Sequence, residues 1–375
     1  MADLSSHQQN LSLHQHTGGQ LDRLCQAFAF AETTGNTDQL LSGLLGPAGE
    51  SSILEPPIWA SNVSDDTTPV EFSVAFDATG GRAIRVLGES VGIGRSREFL
   101  DAIADRYQLA TERFDAVQDL FLPHDERRGP FTLWYSLIFR SGAPPKIKIY
   151  LNPQVSGPTL ADSLVSEGLQ RLNIADAFDP MVMHALTRGD KDNFSFFALD
   201  LDNDPLARLK VYVSHEDANS ADAERAARLV PGIDPMRIRE FCAILGGGTE
   251  VYQDRPLVSS YSFVEGGSGR PGNYSLYLPI RGYVPDDEVA RARVLAIMAQ
   301  YDIDGTELDR ALAAVSTRSL RDGRGLIAHV SLRLGEFGSG ITVYLSSEAY
   351  RVLPPRTRPM LGVLQEYGRS SESVH

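Results

Sequence analysis

Cysteine is nearly absent from this 375-residue chain. Cys25 and Cys242 are the only two, and neither lies near a histidine or second cysteine at metal-ligand spacing. A disulfide framework and a thiolate metal site are excluded, and each thiol is expected to be buried and structural. No run approaches the ~18 consecutive apolar residues of a membrane span, and the opening MADLSSHQQN lacks the basic-then-apolar pattern of a secretory signal. A cytoplasmic protein is therefore expected. Basic residues are in deficit, with 35 Lys and Arg against 49 Asp and Glu and a formal net charge of −14. Nucleic acid and anionic membranes select basic faces, so neither is expected as a partner. No GxxxxGK[ST] is present and no GxGxxG sits between a strand and a helix, which argues against a nucleotide cradle. His7, His14, His16, His124, His184, His215 and His329 show no metal-ligand spacing.

What the chain does have is enough apolar residue, 42%, for a large core, and a repeated hairpin. Five pairs of strand-like runs, rich in β-branched and aromatic residues, are each joined by Gly, Asp, Asn or Pro turn chemistry. They are VEFSVAFD (70–77) with RAIRVLGE (82–89), FTLWYSLIFR (131–140) with KIKIYLN (146–152), FSFFALDL (194–201) with LARLKVYVS (206–214), LVSSYSFVE (257–265) with NYSLYLPI (273–280), and LIAHVSLRLG (326–335) with ITVYLSS (341–347). Between them, 96–121, 158–178, 222–245 and 286–300 carry helical signals. The unit is helix, helix, strand, strand. Five units supply ten antiparallel strands, which are best accommodated by closing the sheet and removing its edges. The expected fold is α+β, a ten-stranded antiparallel barrel of five ααββ repeats with the helices outside. Residues 1–60 read as a helical lead-in packed on the barrel, with LDRLCQAFAFAE (21–32) as an amphipathic helix; 61–353 read as the barrel and 354–375 as a frayed tail.

Period-two alternation sorts the strand residues onto two faces. Ile147, Ile149 and Leu151 face the helices, and Lys148 and Tyr150 face inward; Leu209, Val211 and Val213 face out, and Arg208, Lys210 and Tyr212 face in. The same rule turns Arg85, Tyr277, His329, Arg333 and Tyr344 into the lumen and puts Trp134 on the face of Thr132 and Ser136. A polar strand face ordinarily does no more than meet solvent. Several cations converging inside an acidic protein repel one another, and the arrangement becomes favourable when a polyanion such as a diphosphate neutralises them. Arginine offers phosphate a planar fork and lysine a compact point charge. Tyrosine faces suit the carbocation that an ionising prenyl diphosphate leaves behind.

At these residues the chain resembles the aromatic prenyltransferases of the dimethylallyltryptophan synthase type, indole prenyltransferases built on the ααββ repeat known as the PT barrel. The resemblance spans roughly residues 60–350 and rests on PVEFS (69–73), IRVLGE (84–89), KIYLNP (148–153), RLKVYV (208–213), YSLYLP (274–279) and TVYLSS (342–347). The compact length is more like the bacterial branch than the fungal one. The resemblance implies that Glu71 accepts the indole N–H. It assigns the diphosphate to Arg85, Lys148, Arg208, Lys210 and, less directly, Arg333, and a cation shield to Tyr150, Tyr212, Tyr277 and Tyr344. Trp134 and His329 are expected in the aromatic pocket. His329 is read either as a proton acceptor or as a polar pore residue, and Glu71 either as the indole acceptor or as a carboxylate paired with Arg85. Fungal members often carry a lysine on the strand before KIYLNP as proton acceptor. Here that strand reads TLWYSLIF, so another group or water takes the proton, or the site of attack differs. A glutamine common before the fourth-hairpin tyrosine is Ser275.

DLDNDP (200–205) looks like the aspartate-rich magnesium motif of other prenyltransferases, but it sits where the third hairpin must reverse and is read as a turn. No cofactor is expected to be required, magnesium included. The expected activity is transfer of a dimethylallyl group from dimethylallyl diphosphate to the indole of L-tryptophan or a simple derivative, in secondary metabolism, by a monomer or homodimer. The alternatives are the same fold acting on a tryptophan-containing cyclic dipeptide, an indolactam or a phenol, and a non-catalytic barrel that binds a small ligand.

Overall fold

In the computed structural model, which describes residues 10–30, 34–122, 131–264, 269–336 and 338–356, ten antiparallel strands close into a barrel. They are β1 (Val70–Asp77), β2 (Arg82–Gly88), β3 (Leu133–Phe139), β4 (Lys146–Leu151), β5 (Asp192–Asp200), β6 (Arg208–His215), β7 (Leu257–Val264), β8 (Asn273–Leu278), β9 (Ile327–Gly335) and β10 (Gly340–Ser346). Each strand pairs with its neighbour in sequence, and β1 pairs with β10 from Glu71↔Ser346 to Asp77↔Gly340. All five hairpins read from the sequence are present, and closure leaves no strand edge unpaired.

The helices form the outer ring: α1 (Leu13–Ala27), α2 (Thr34–Leu45), α3 (Gly92–Ala104), α4 (Glu112–Asp115), α5 (Gln118–Phe121), α6 (Ala161–Arg171), α7 (Phe178–Ala185), α8 (Ser220–Ala227), α9 (Pro235–Gly246), α10 (Asp287–Ala299) and α11 (Thr306–Val315). Stretches with helical signals between hairpins are divided into separate helices, as the helix, helix, strand, strand unit requires, and the breaks have local causes. Within 96–121 the chain turns at Gln108 (φ +50°), within 158–178 at Asn173 (φ +57°), and within 222–245 at Gly232 (φ +77°). Asp234 then caps α9 by accepting from the Met236 N–H, with Pro235 at the first helical position. The helix read at 21–32 starts earlier and stops earlier. Ser12 and Gln15 form a reciprocal capping box at its start, and the chain leaves it at Phe28 and Ala29 (φ +57°).

The first helical pair is continuous with the last. Gln20 Nε2 donates to the carbonyls of Val315 (2.8 Å) and Ser347 (2.9 Å), and Arg23 Nε donates to that of Ala314 (2.8 Å). Residues 13–45 thus supply the helices of the first ααββ unit. Of the segment read as a tail, 357–375 lies outside the described residues, as do His7 and His124.

The main core fills the layer between barrel and ring. Phe72, Val74 and Phe76 of β1, Ile147 and Ile149 of β4, and Val211 and Val213 of β6 pack with Phe99, Val165, Leu169, Phe241, Leu245 and Val294 of the helices, all buried. Each such side chain contributes about 1.5–3 kcal/mol through its burial. Strict alternation therefore leaves only the inward set for chemistry. Both cysteines are buried, and burial pushes the Cys242 thiol up to about 12, far from a reactive thiolate. Among the described residues no helix is long and apolar enough to cross a membrane.

Candidate active site

Two connected spaces occupy the lumen. The smaller, about 60 Å³, is lined by Arg85 of β2, Lys148 of β4, and Arg208 and Lys210 of β6, together with Ser73, Ser136 and four tyrosines. The larger, about 300 Å³, is lined by Glu71, Leu87, Trp134, Phe196, Arg255, Arg281 and His329, and by the same tyrosines. Tyr150, Tyr212, Tyr277 and Tyr344 belong to both, so they form the boundary between a cationic end and an aromatic end.

The cationic end gathers four of the five basic residues read from the sequence. Lys148 and Lys210 are 4% and 7% exposed, which makes their charges costly. Burial lowers the Lys148 ammonium to about 8, against the opposing pull of Asp200, and nearby Arg208 and Arg85 lower it too. Lys210 is driven well below the ordinary lysine range by burial and then by Lys148, Arg208 and Arg85. Asp200, at the end of β5, contacts Lys148 Nζ at 2.8 Å and accepts from Arg208 Nε at 2.8 Å. Burial works against its charge, but Lys148 and Arg208 hold the carboxyl far below the usual carboxylate range. Arg85 and Lys210 make no ion pair with the described residues.

Arg333 is not brought into this cluster. Its side chain points inward as the alternation requires, but the register sets it opposite Gly340, itself paired with Asp77, and Arg333 bonds the Asp77 carboxylate at that end of the barrel. Nor does Glu71 pair with Arg85. Arg85 lies opposite Ser73, one inward step further along β1.

The four tyrosine rings run side by side around the wall: Tyr150 to Tyr212 at 5.9 Å between centroids, Tyr212 to Tyr277 at 5.7 Å, and Tyr277 to Tyr344 at 5.9 Å. Burial pushes the hydroxyls of Tyr150, Tyr212 and Tyr344 upward, so they remain O–H donors at neutral pH. The belt continues into the larger cavity through Phe196, 5.5 Å from Tyr212, and Trp134, 5.6 Å from Phe196 and stacked on Phe131 at 4.3 Å. A flat ring entering here meets π-faces on several sides.

Glu71 stands in the wall of this cavity, 4% exposed, with the His329 Nδ1 at 4.0 Å from Oε1. Burial pushes its carboxyl up to about 8; Arg281 opposes the rise and Asp65 adds to it. His329 lies against Tyr344, and Arg281 Nη1 sits 2.8 and 3.1 Å from its two ring nitrogens, donating to the bare one. Burial, then Arg281 and Arg255, keep the imidazole well below its ordinary range. Burial and the two guanidinium groups thus disfavour the charged form of His329. Arg281 is fixed in turn by Asp65, which accepts from its Nε at 2.6 Å and from Arg255 Nη2 at 2.6 Å.

Phe196, Asp200, Arg281, Arg255 and Asp65 were not read as site residues from the sequence. Asp200 shares a face with Ala198 and is legible by alternation, but the turn chemistry of DLDNDP masks it. That turn is present: Asp202 accepts from the Asp204 N–H at 3.1 Å, Asp204 accepts from the Leu206 N–H at 2.9 Å, and both bind Lys146 at 3.3 Å. Among the described residues no three His, Cys, Asp or Glu side chains group as a metal site.

A sequence model of tryptophan dimethylallyltransferase matches residues 37–310. Solved structures agree along nearly the whole chain. A 6-dimethylallyltryptophan synthase from Micromonospora olivasterospora, solved with DMASPP and Trp, is 48% identical, with a TM-score of 0.88 over 92% of this chain and 100% of that one. The prenyltransferase PriB, solved with L-tryptophan and dimethylallyl thiolodiphosphate, is 38% identical, with a TM-score of 0.86 over 92% and 99%. A 5-dimethylallyltryptophan synthase from Streptomyces coelicolor is 35% identical, with a TM-score of 0.85 over 92% and 99%. Likeness at this level extends through all five repeats, and the chain belongs to the tryptophan dimethylallyltransferase family of bacterial indole prenyltransferases.

Proposed function

We propose that this prenyltransferase moves the dimethylallyl group of dimethylallyl diphosphate to the indole ring of L-tryptophan, at C6, without a metal ion. The observation that carries the reading is the tyrosine belt shared by the cationic pocket and the aromatic cavity. A prenyl diphosphate threaded through it has its phosphates among Arg85, Lys148, Arg208 and Lys210 and its allyl carbons among tyrosine faces. The C1–O bond breaks heterolytically and the electron pair leaves with the diphosphate. Protein cations take the charge that magnesium takes in other prenyl transfers. The allyl cation is flanked by ring quadrupoles and kept from water.

Indole carbon then attacks the cation. Glu71 accepts the indole N–H, which orients the ring and offsets the positive charge that builds on it, and its charged form is the stronger acceptor. Loss of the ring proton restores aromaticity, so the products are dimethylallyltryptophan, diphosphate and one proton. The choice of C6 draws on the 48% relatives named for that position, against 35% for one named for C5.

The test is incubation with dimethylallyl diphosphate and L-tryptophan in EDTA, with diphosphate assay, mass spectrometry and NMR of the product. One added dimethylallyl group at C6 supports the reading. Turnover restricted to a cyclic dipeptide, indolactam or phenol overturns the acceptor, and a requirement for magnesium overturns the metal-free step. Diphosphate binding with no acceptor alkylated makes the barrel a binding protein.

A further inference from the structure

Among the described residues Asp200 is the one carboxylate bonded to the cations of the smaller pocket, yet it does not line that pocket. It closes β5, with its Cα paired to Lys148 of β4, and reaches across the hairpin turn to β6. One oxygen contacts Lys148 Nζ at 2.8 Å; the other accepts from Arg208 Nε at 2.8 Å and from the Arg208 backbone N–H at 3.1 Å. A ligand in the pocket therefore meets the cations, with the carboxylate behind them.

Among the described residues, the other charged groups that act on Lys148 or Lys210 are positive, Arg85 from β2 and Arg208 from β6 beside the two lysines themselves; Arg140, just past β3, adds to Arg85 and Arg208, with Asp77 acting on it from β1. The tyrosine hydroxyls of the pocket wall complete its lining, and burial pushes those of Tyr150, Tyr212 and Tyr344 upward, so these three stay neutral. Desolvation and like charge both work to neutralise a lysine here. Lys210 is an internal control. It lines the same pocket and makes no ion pair with the described residues, and burial drives it well below the ordinary lysine range even though the Asp200 charge opposes the fall.

We infer that Asp200 is a positioning residue of the diphosphate site, a fixed counter-ion that keeps Lys148 charged and Lys148 and Arg208 aimed into the pocket while it is empty. The inference rests on the proposed diphosphate reading. It means that a diphosphate binds a pocket already charged at Lys148, rather than one that must first collect a proton there. It also means that product leaving the pocket hands its two cations back to a waiting partner.

The test uses Asp200→Asn and calorimetry with inorganic pyrophosphate, metal-free, from about pH 6 to pH 9. Near pH 6, where the inference has Lys148 protonated in both proteins, the variant binds as tightly as wild type or more tightly, since a negative charge is gone. Toward pH 8.5 it loses about tenfold or more relative to wild type, and buffers of different ionisation enthalpy report about one extra proton taken up per diphosphate. Asp200→Glu retains the wild-type profile, and adding Lys148→Arg to Asp200→Asn removes the added pH dependence. A parallel loss at every pH overturns the inference in favour of a hairpin clip, and an unchanged profile overturns it outright. If Asp200→Asn does not fold, an NMR titration of the wild-type lysine side chains decides: Lys148 losing its proton at or below the pH at which Lys210 does overturns the inference, and above it supports it. Wild type that fails to bind pyrophosphate refutes the diphosphate reading itself, a separate result.

Discussion

Lys210 Nζ lies 5.6 Å from the centre of the Tyr212 ring, two residues further along β6. The ammonium proposed to hold a phosphate oxygen and the ring proposed to face the carbocation are in contact. Ionisation of a prenyl diphosphate across this pair separates charge over a single side-chain step, with a fixed positive group on one side and a π-face on the other.

Lys210 has no carboxylate partner to satisfy, so its loss falls on the ligand. Lys210→Gln is expected to weaken pyrophosphate binding by about ten- to a hundredfold, the worth of one charge-assisted hydrogen bond, with little change in thermal stability. Calorimetry and a melting curve check both halves. Unchanged binding removes Lys210 from the diphosphate site.

Glu71 and Lys148 both titrate near pH 8, in opposite senses. The productive protein has Glu71 ionised and Lys148 protonated, so kcat/KM should rise toward pH 8 and fall beyond it, in a narrow bell. Glu71→Gln should lower the rate by about two orders of magnitude and abolish the acid limb. Lys148→Arg should leave the acid limb in place, and combined with Lys210→Arg it should move the alkaline limb upward. A flat profile between pH 6 and 9 contradicts the assignment.

The belt predicts a failure of coupling as well as of rate. Tyr212→Leu opens the wall between two neighbouring rings, and water then competes with indole for the cation. Diphosphate release should exceed prenylated product, with dimethylallyl alcohol making up the difference, whereas Tyr212→Phe keeps the ring and most of the coupling. Equal yields of diphosphate and product in Tyr212→Leu would show that the belt does not exclude water.

Away from the lumen, Asp192 accepts from Arg188 Nη2 at 2.6 Å and contacts His215 Nδ1 at 2.7 Å. Burial raises its carboxyl, but His215 and Arg188 outweigh burial and bring it down to about 2. A folded-state value below the unfolded one gives stability that is complete above about pH 4 and lost as the pH falls through 2. Asp192→Asn should therefore cost about 2 kcal/mol at neutral pH, with the gap closing below about pH 3 in urea unfolding.

Strand composition and turn chemistry make the hairpins legible, and alternation then makes the four clustered cations and the tyrosine belt legible, because period two survives in sequence wherever a strand runs straight. It failed where it is interrupted. Phe196 follows an irregularity in the β5–β6 register between Phe194 and Phe196, which shifts the faces. Arg281 lies in a short turn after β8, and Asp65 in irregular chain before β1, where no periodicity assigns a direction. Their meeting with His329 depends on closure of the ring. Arg333 shows the other limit: a face can be read from sequence, but depth along the barrel is set by strand stagger.

The hydrogen bond from Gln20 to the Ser347 carbonyl joins residues 327 positions apart, beside the seam where β1 meets β10. During synthesis every other strand pair can form as its hairpin emerges. That seam must wait until almost the whole chain is made, and until then β1 has one open edge and the lumen is unwalled on that side. Contacts this distant in sequence favour slow final closure. Catalytic competence arrives as a single late event, with the last strand.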